Sequence, residues 1–172
     1  MRRNLIGLLF VFFCFLLQST VFQSLSFAGI VPNLLMILTS SYGFMRGEKE
    51  GLVYGFICGM LCDVFFAGVL GMYALVYMYI GFVNGKFARI IYPDDIKLPL
   101  VFITVSDLAY GMFCYIFLFL LRGRFHFAFY LLHVIIPEAV YTLLIALLLY
   151  PLLLWVHNRL EKKEKGSVRD LV

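Results

Sequence analysis

Three carboxylates, Asp63, Asp107 and Glu138, stand inside long apolar runs. No Lys or Arg occurs at comparable depth, and His133, toward one end of the last run, is the only cationic candidate. Lipid offers a polar group no partner, so ionisable residues in such runs point to a proton or ligand path, a partner contact or an interhelical hydrogen bond. Three acids without counterions would not all stay ionised, because desolvation and mutual repulsion both favour the protonated form. The expectation is therefore of neutral acids donating hydrogen bonds to Tyr, Ser, Thr, Asn or backbone carbonyls on neighbouring helices. Carboxylates suit Mg²⁺ or Ca²⁺, but nothing in the spacing makes these three converge, and no metal is assigned.

Other chemistry is sparse. Cys14, Cys58, Cys62 and Cys114 all lie in apolar runs, unlike the clustered, polar-supported thiolates of a zinc site or the loop cysteines of a disulfide framework. They read as reduced structural thiols. His126, His133 and His157 are scattered. There is no HExxH, no phosphate-cradling GxxxxGK[ST], and no Ser/His/Asp grouping of plausible geometry. The chain reads as noncatalytic, with no cofactor.

The elements that must hold these residues are membrane helices. Of 172 residues, 63% are hydrophobic and 14% charged, and the mean hydropathy is +0.98; soluble domains sit near half apolar and a quarter charged. A span needs about 20 mostly apolar residues, and six segments qualify, at approximately 4–24, 30–45, 51–69, 71–91, 98–121 and 128–156. The fold class is an all-α integral membrane protein, a six-transmembrane-helix bundle over 1–156 with a short charged cytoplasmic tail at 157–172. The third and fourth spans, separated only around Gly68–Gly71, should form an antiparallel hairpin. Pro32 suits the first turn of the second helix. Ser26-Phe27-Ala28 resembles a signal-peptide cleavage site, but every later segment is also membrane-length, so an uncleaved first span is expected.

Basic residues set the orientation. With both termini cytoplasmic, the inner side holds Arg2, Arg3, Arg46, Lys49, Lys86, Arg89, Lys97, Arg159, Lys162, Lys163, Lys165 and Arg169, and the outer side only Arg122 and Arg124. The net charge of +4 thus reflects membrane topology and anionic lipid, with no nucleic-acid partner implied.

Small residues indicate how the helices meet. Gly51, Gly55 and Gly59 recur every four residues, with Asp63 next in register. Gly81 and Gly85 continue a similar series from Tyr73 and Tyr77, with Asn84 alongside. Such stripes let another backbone approach closely, so Asp63 should face protein at the end of a packing groove. Gln18, Ser19, Thr20, Gln23 and Ser24 cluster at the end of the first span, as an interfacial cap or a contact for an external partner. Pro137, just before Glu138, frees a backbone carbonyl one turn earlier and could kink the sixth helix.

Several stretches together carry a family resemblance. LQSTVFQSL at 17–25, PNLLMILTSSYGFMRGEKEG at 32–51, GFICGMLCDVFFAGVLGMYAL at 55–75 and YIGFVNG at 79–85 resemble the MreD family of bacterial rod-shape-determining membrane proteins. The likeness is good over the first half; the second half agrees mainly in length and hydropathy. It implies a noncatalytic, multi-pass subunit of the elongation machinery in the bacterial cytoplasmic (inner) membrane. Implied partners are a bitopic MreC-like protein and, directly or indirectly, the RodA glycosyltransferase, a class B penicillin-binding transpeptidase and the MreB filament. The family is also distantly similar in architecture to the S components of energy-coupling-factor vitamin transporters. That alternative predicts a closed cavity near Asp107 and Glu138, lined by aromatics such as Tyr110 and Tyr141. S components typically carry an AxxxA-like docking motif on the first helix, which LIGLLFVFFCFLLQST lacks.

Overall fold

The computed structural model describes residues 2–26, 29–66, 70–89, 97–117 and 127–169. Ala28, Gly68, most of YPDDIK and the segment bearing Arg122, Arg124 and His126 fall outside the described residues. The described chain is helical, in six helices. α1 comprises Arg2–Leu16, a π turn at Leu17–Val21 and a last α turn at Phe22–Ser24. α2 is Leu34–Arg46, α3 Glu48–Phe66, α4 Met72–Ala88 and α5 Lys97–Tyr115. α6 comprises Phe127–Tyr130, a π turn at Leu131–Ile135 and a long run Ile136–Arg169. Among the described residues, three helical stretches are long and apolar enough to cross a membrane: Asn4–Ser24, Lys97–Tyr115 and Ala128–Glu161.

The shorter helices differ for local reasons. α2 has 13 residues, about 20 Å at 1.5 Å per residue, and is buried along Leu34–Phe44. It is the axis of the core, where Leu35, Met36, Ile37 and Leu38 are fully enclosed. Its start is displaced from the sequence expectation. Asn33 is the N-cap, with its side chain accepting from the Met36 N–H at 3.2 Å, so Pro32 precedes the helix instead of sitting in its first turn. The α2–α3 turn uses Gly47 at φ 89°, a conformation glycine adopts without Cβ strain.

α3 and α4 form the tightest joint in the molecule. A Cβ on Gly59 would lie 2.4 Å from the Ala74 Cα, on Gly55 2.3 Å from the Tyr77 carbonyl oxygen, and on Gly51 2.4 Å from the Gly81 carbonyl oxygen. Contact positions rise along α3 as they fall along α4, which makes the pair antiparallel. Gly85 lies equally close to the Glu48 backbone, and Gly43 brings α2 against Gly81. Both glycine stripes therefore face each other within one chain, and α4 occupies the groove on α3.

One end of the bundle gathers charge. Arg46 pairs with Glu50 at 3.1 Å, donates to the Tyr54 hydroxyl at 3.0 Å, and lies over the rings of Tyr42 and Tyr54. Arg89 reaches Glu48 at 3.1 Å, and the Tyr54 hydroxyl donates to the Asn4 carbonyl. Ile6, Arg46 and His157 border one small void here, so the start of α1 and the late part of α6 meet at this end. α6 continues helically through the charged tail to Arg169.

Pro137 bends the accounting of α6 as its missing N–H requires. The backbone ahead of it widens into the π turn at Leu131–Ile135, a form that rehouses carbonyls freed by an unmatched turn.

Candidate functional site

The carboxylates have three different surroundings. Asp63 is an acceptor throughout: Oδ2 accepts from the N–H groups of Gly71 at 3.0 Å and Ala74 at 2.9 Å, and Oδ1 from Tyr73 at 3.0 Å. It caps the N-terminus of α4 from the neighbouring helix. The first N–H groups of a helix have no intrahelical partner, and the sequence between Phe66 and Met72 contains no polar side chain to serve them; Gly71, at φ 98°, makes no side-chain cap. The expectation of a hydrogen-bond donor is corrected at this residue. Its register with the glycine stripe is what delivers it to the end of α4.

Asp107 is buried, and among the described residues neither carboxylate oxygen has a hydrogen-bond partner. Its polar neighbours are Thr142 and Asn33, which belong to a fixed knot. The Thr142 hydroxyl accepts from the Asn33 N–H at 3.0 Å, and the Asn33 side-chain oxygen accepts from the Tyr77 hydroxyl at 2.7 Å. This knot joins α2, α4 and α6. Tyr77→Phe removes one donor while keeping the ring, and should lower stability in detergent by about 1 kcal/mol, measured as a shift in the thermal unfolding midpoint. Asn84, beside the α4 stripe, plays the equivalent part toward α5 by donating to the Ser106 hydroxyl at 2.9 Å.

Glu138 opens instead onto a cleft of about 310 Å³ between the last turns of α1 and the early part of α6. Its polar and aromatic walls come from Gln18, Gln23, Asn33, Tyr73, Tyr77 and Tyr110. Glu138 has no hydrogen bond or ion pair among the described residues, though Asp107 is near enough to interact with it electrostatically. The Gln18 side-chain oxygen accepts from the Leu35 N–H at 3.1 Å, which ties the end of α1 to the start of α2.

The cleft thus unites two groups that the sequence offered separately, Glu138 and the Gln18/Gln23 end of α1. It does not recruit Ser19 or Thr20, whose hydroxyls both donate back to the Leu16 carbonyl, as hydroxyls in apolar helices do when no other acceptor is near. Asp107 and Tyr141 do not line it. Tyr141 and His133 border a separate apolar groove with Pro137 and Val140, and His133 stacks on Phe129 at 4.3 Å with Nδ1 3.1 Å from the Phe129 carbonyl. Thr142 escaped the sequence reading, although it lies one turn beyond Glu138 on the same helix face. Asn33 carried a signal in its place after proline and before an apolar helix. Among the described residues no group of His, Cys, Asp or Glu is arranged to hold a metal ion, and the four cysteines are buried and unpaired in disulfides.

Comparison with known proteins gives one finding. No curated protein and no solved structure matches the chain. The family described as rod shape-determining protein MreD matches residues 1–159, which takes in the second half, where the motifs were weak, as well as the first. That family is a bacterial membrane protein of the rod-shape machinery, acting with MreC, and is shape-determining and structural in character. The chain belongs to the MreD family.

Proposed function

We propose that this protein is a rigid, noncatalytic six-span subunit of the bacterial inner membrane, with both termini cytoplasmic. It positions an MreC-like bitopic partner relative to the synthase of the elongation machinery. The observation that carries the reading is the use of polar groups as internal joints. Asp63 caps α4, Asn33 ties Tyr77 to Thr142, and Asn84 meets Ser106. Side chains locked this way rigidify a bundle and leave few groups free for chemistry.

With the glycine groove filled from within, partner contact moves to α1. Leu5, Leu9, Phe12 and Phe13 are 55–62% exposed on one side of that helix. In lipid, van der Waals packing drives helix association, and α1 offers such a face; α6, with Leu144 and Leu148 also exposed, is the face to compare it with. RodA, the transpeptidase and MreB would then be engaged through the partner or beside it. A photo-crosslinking residue at Phe13 or Leu9 is expected to capture the MreC-like partner in native membranes, while one at Leu144 on α6 captures little. Equal capture from both faces, or none from α1, would remove α1 as the docking helix.

A second reading, a small-solute-binding subunit like an S component, draws support from the Glu138 cleft alone. Mild-detergent purification separates the two: an MreC-like protein in the eluate supports the scaffold, an ATPase module the carrier.

A further inference from the structure

We propose that the Glu138 cleft is a binding site for an alkylammonium group. The cleft has one acidic group, Glu138, and among the described residues no Lys, Arg or His lines it. Glu138 has no cation or hydrogen-bond donor of its own among the described residues. An anion would find no cation in this lining to receive it, whereas an ammonium group would favour the ionised form of Glu138 and pair with it.

The walls suit a small cation. The Tyr110 ring sits 5.8 Å from Tyr73 and 5.3 Å from Tyr77, giving a cluster of π systems that attract a positive charge within about 6 Å of a ring centroid. Gln23, at the mouth, adds an amide oxygen that can accept from an ammonium. A volume of about 310 Å³ lies at the small end of ligand sites, matching a headgroup or small amine. Both borders of the cleft are built on π turns: Gln18 lies in the one at Leu17–Val21 and Val134 in the one at Leu131–Ile135. Such turns recur at functional sites because they re-aim side chains out of the regular helical register.

The same ammonium chemistry is offered by an aminolipid headgroup and by a free amine. Native mass spectrometry of the purified full chain, titrated with phosphatidylethanolamine, phosphatidylglycerol and free ethanolamine, distinguishes them. At least one amine probe should be retained at least tenfold more tightly than phosphatidylglycerol. Retention of phosphatidylethanolamine alone identifies a lipid site, and comparable ethanolamine binding identifies a free-amine site. Glu138→Gln, which keeps the shape and removes the ionisable group, should weaken retention roughly tenfold or more. Val134→Trp, which fills the cleft and leaves the carboxylate intact, should abolish it, while Tyr110→Phe, which keeps the ring, should change it less than about threefold. Monodisperse elution establishes that each variant is folded, and where Glu138→Gln does not fold the other two decide. Binding of neither amine, equal retention of phosphatidylglycerol, or undiminished binding in folded Glu138→Gln or Val134→Trp overturns the proposal. It does not rest on the scaffold reading, since the α1 crosslink stands or falls without any amine.

Discussion

Gly55→Ala or Gly81→Ala, a change of one methyl group, is expected to destabilise this protein by about 3 kcal/mol or more, at the upper end of overpacking effects. Alanine ordinarily favours a helix over glycine by about 1 kcal/mol, so propensity argues for the opposite sign. Geometry decides. The new Cβ would lie 2.3 Å from the Tyr77 carbonyl oxygen at position 55 and 2.1 Å from the Gly51 carbonyl oxygen at position 81. Both obstacles are backbone, so no side chain can rotate away, and relief requires α3 and α4 to separate. Separation would also pull Asp63 from the end of α4. Detergent-solubilised variants should show a sharply lowered unfolding midpoint or fail to accumulate, whereas Val64→Ala, at a 60% exposed position of α3, should stay near wild type. A Gly55→Ala protein of native stability that no longer recovers its partner would mean that this stripe faces another chain.

Asp63→Leu should have a comparable effect by a different route. It removes the acceptor for three backbone N–H groups, at a place where lipid and apolar side chains supply no substitute. Stranding a buried donor costs about 1–3 kcal/mol, and loss of an N-cap alone about 1 kcal/mol. Asp63→Asn separates the contributions. Its one carbonyl oxygen can replace either Oδ1, which serves Tyr73, or Oδ2, which serves Gly71 and Ala74, while the amide NH₂ must face the remaining donor. An intermediate loss of about 1–2 kcal/mol is expected, read from the same unfolding midpoints. Reduced function in Asp63→Asn is therefore expected from cap geometry, without proton exchange. A variant of full stability and no function would restore the case for charge.

The two results concern one joint read at different levels. In sequence, Gly51, Gly55, Gly59 and Asp63 form a series with a period of four, and four residues advance a helix by about 400°. The period therefore places them on a slowly turning stripe and says that something must approach closely. What approaches is not encoded in the spacing. A partner's helix and the next helix of the same chain would select the same small residues, because each brings a backbone to within a few ångströms. The 66–72 connection, short enough to fold α4 straight back, settles the choice.

Composition and motif order determined much by themselves: helical class, membrane setting, the hairpin, and membership of the MreD family. These follow from properties that local sequence carries, namely hydrophobic run length, periodicity and the order of short motifs. The sequence also singled out three carboxylates in apolar runs, but not what surrounds each. Asp63, Asp107 and Glu138 look alike as single acids in apolar runs, yet one meets helix-end N–H groups, one is enclosed beside Thr142 and Asn33, and one faces open space. Hydrogen-bond direction and exposure depend on what a neighbouring helix presents at that height, and this is fixed only when all six helices pack. The meeting of Gln18 with Glu138 across 120 positions of sequence is likewise a product of tertiary structure. No local periodicity relates the end of α1 to the start of α6; the close-packed α2–α4 core holds them on either side of one cleft.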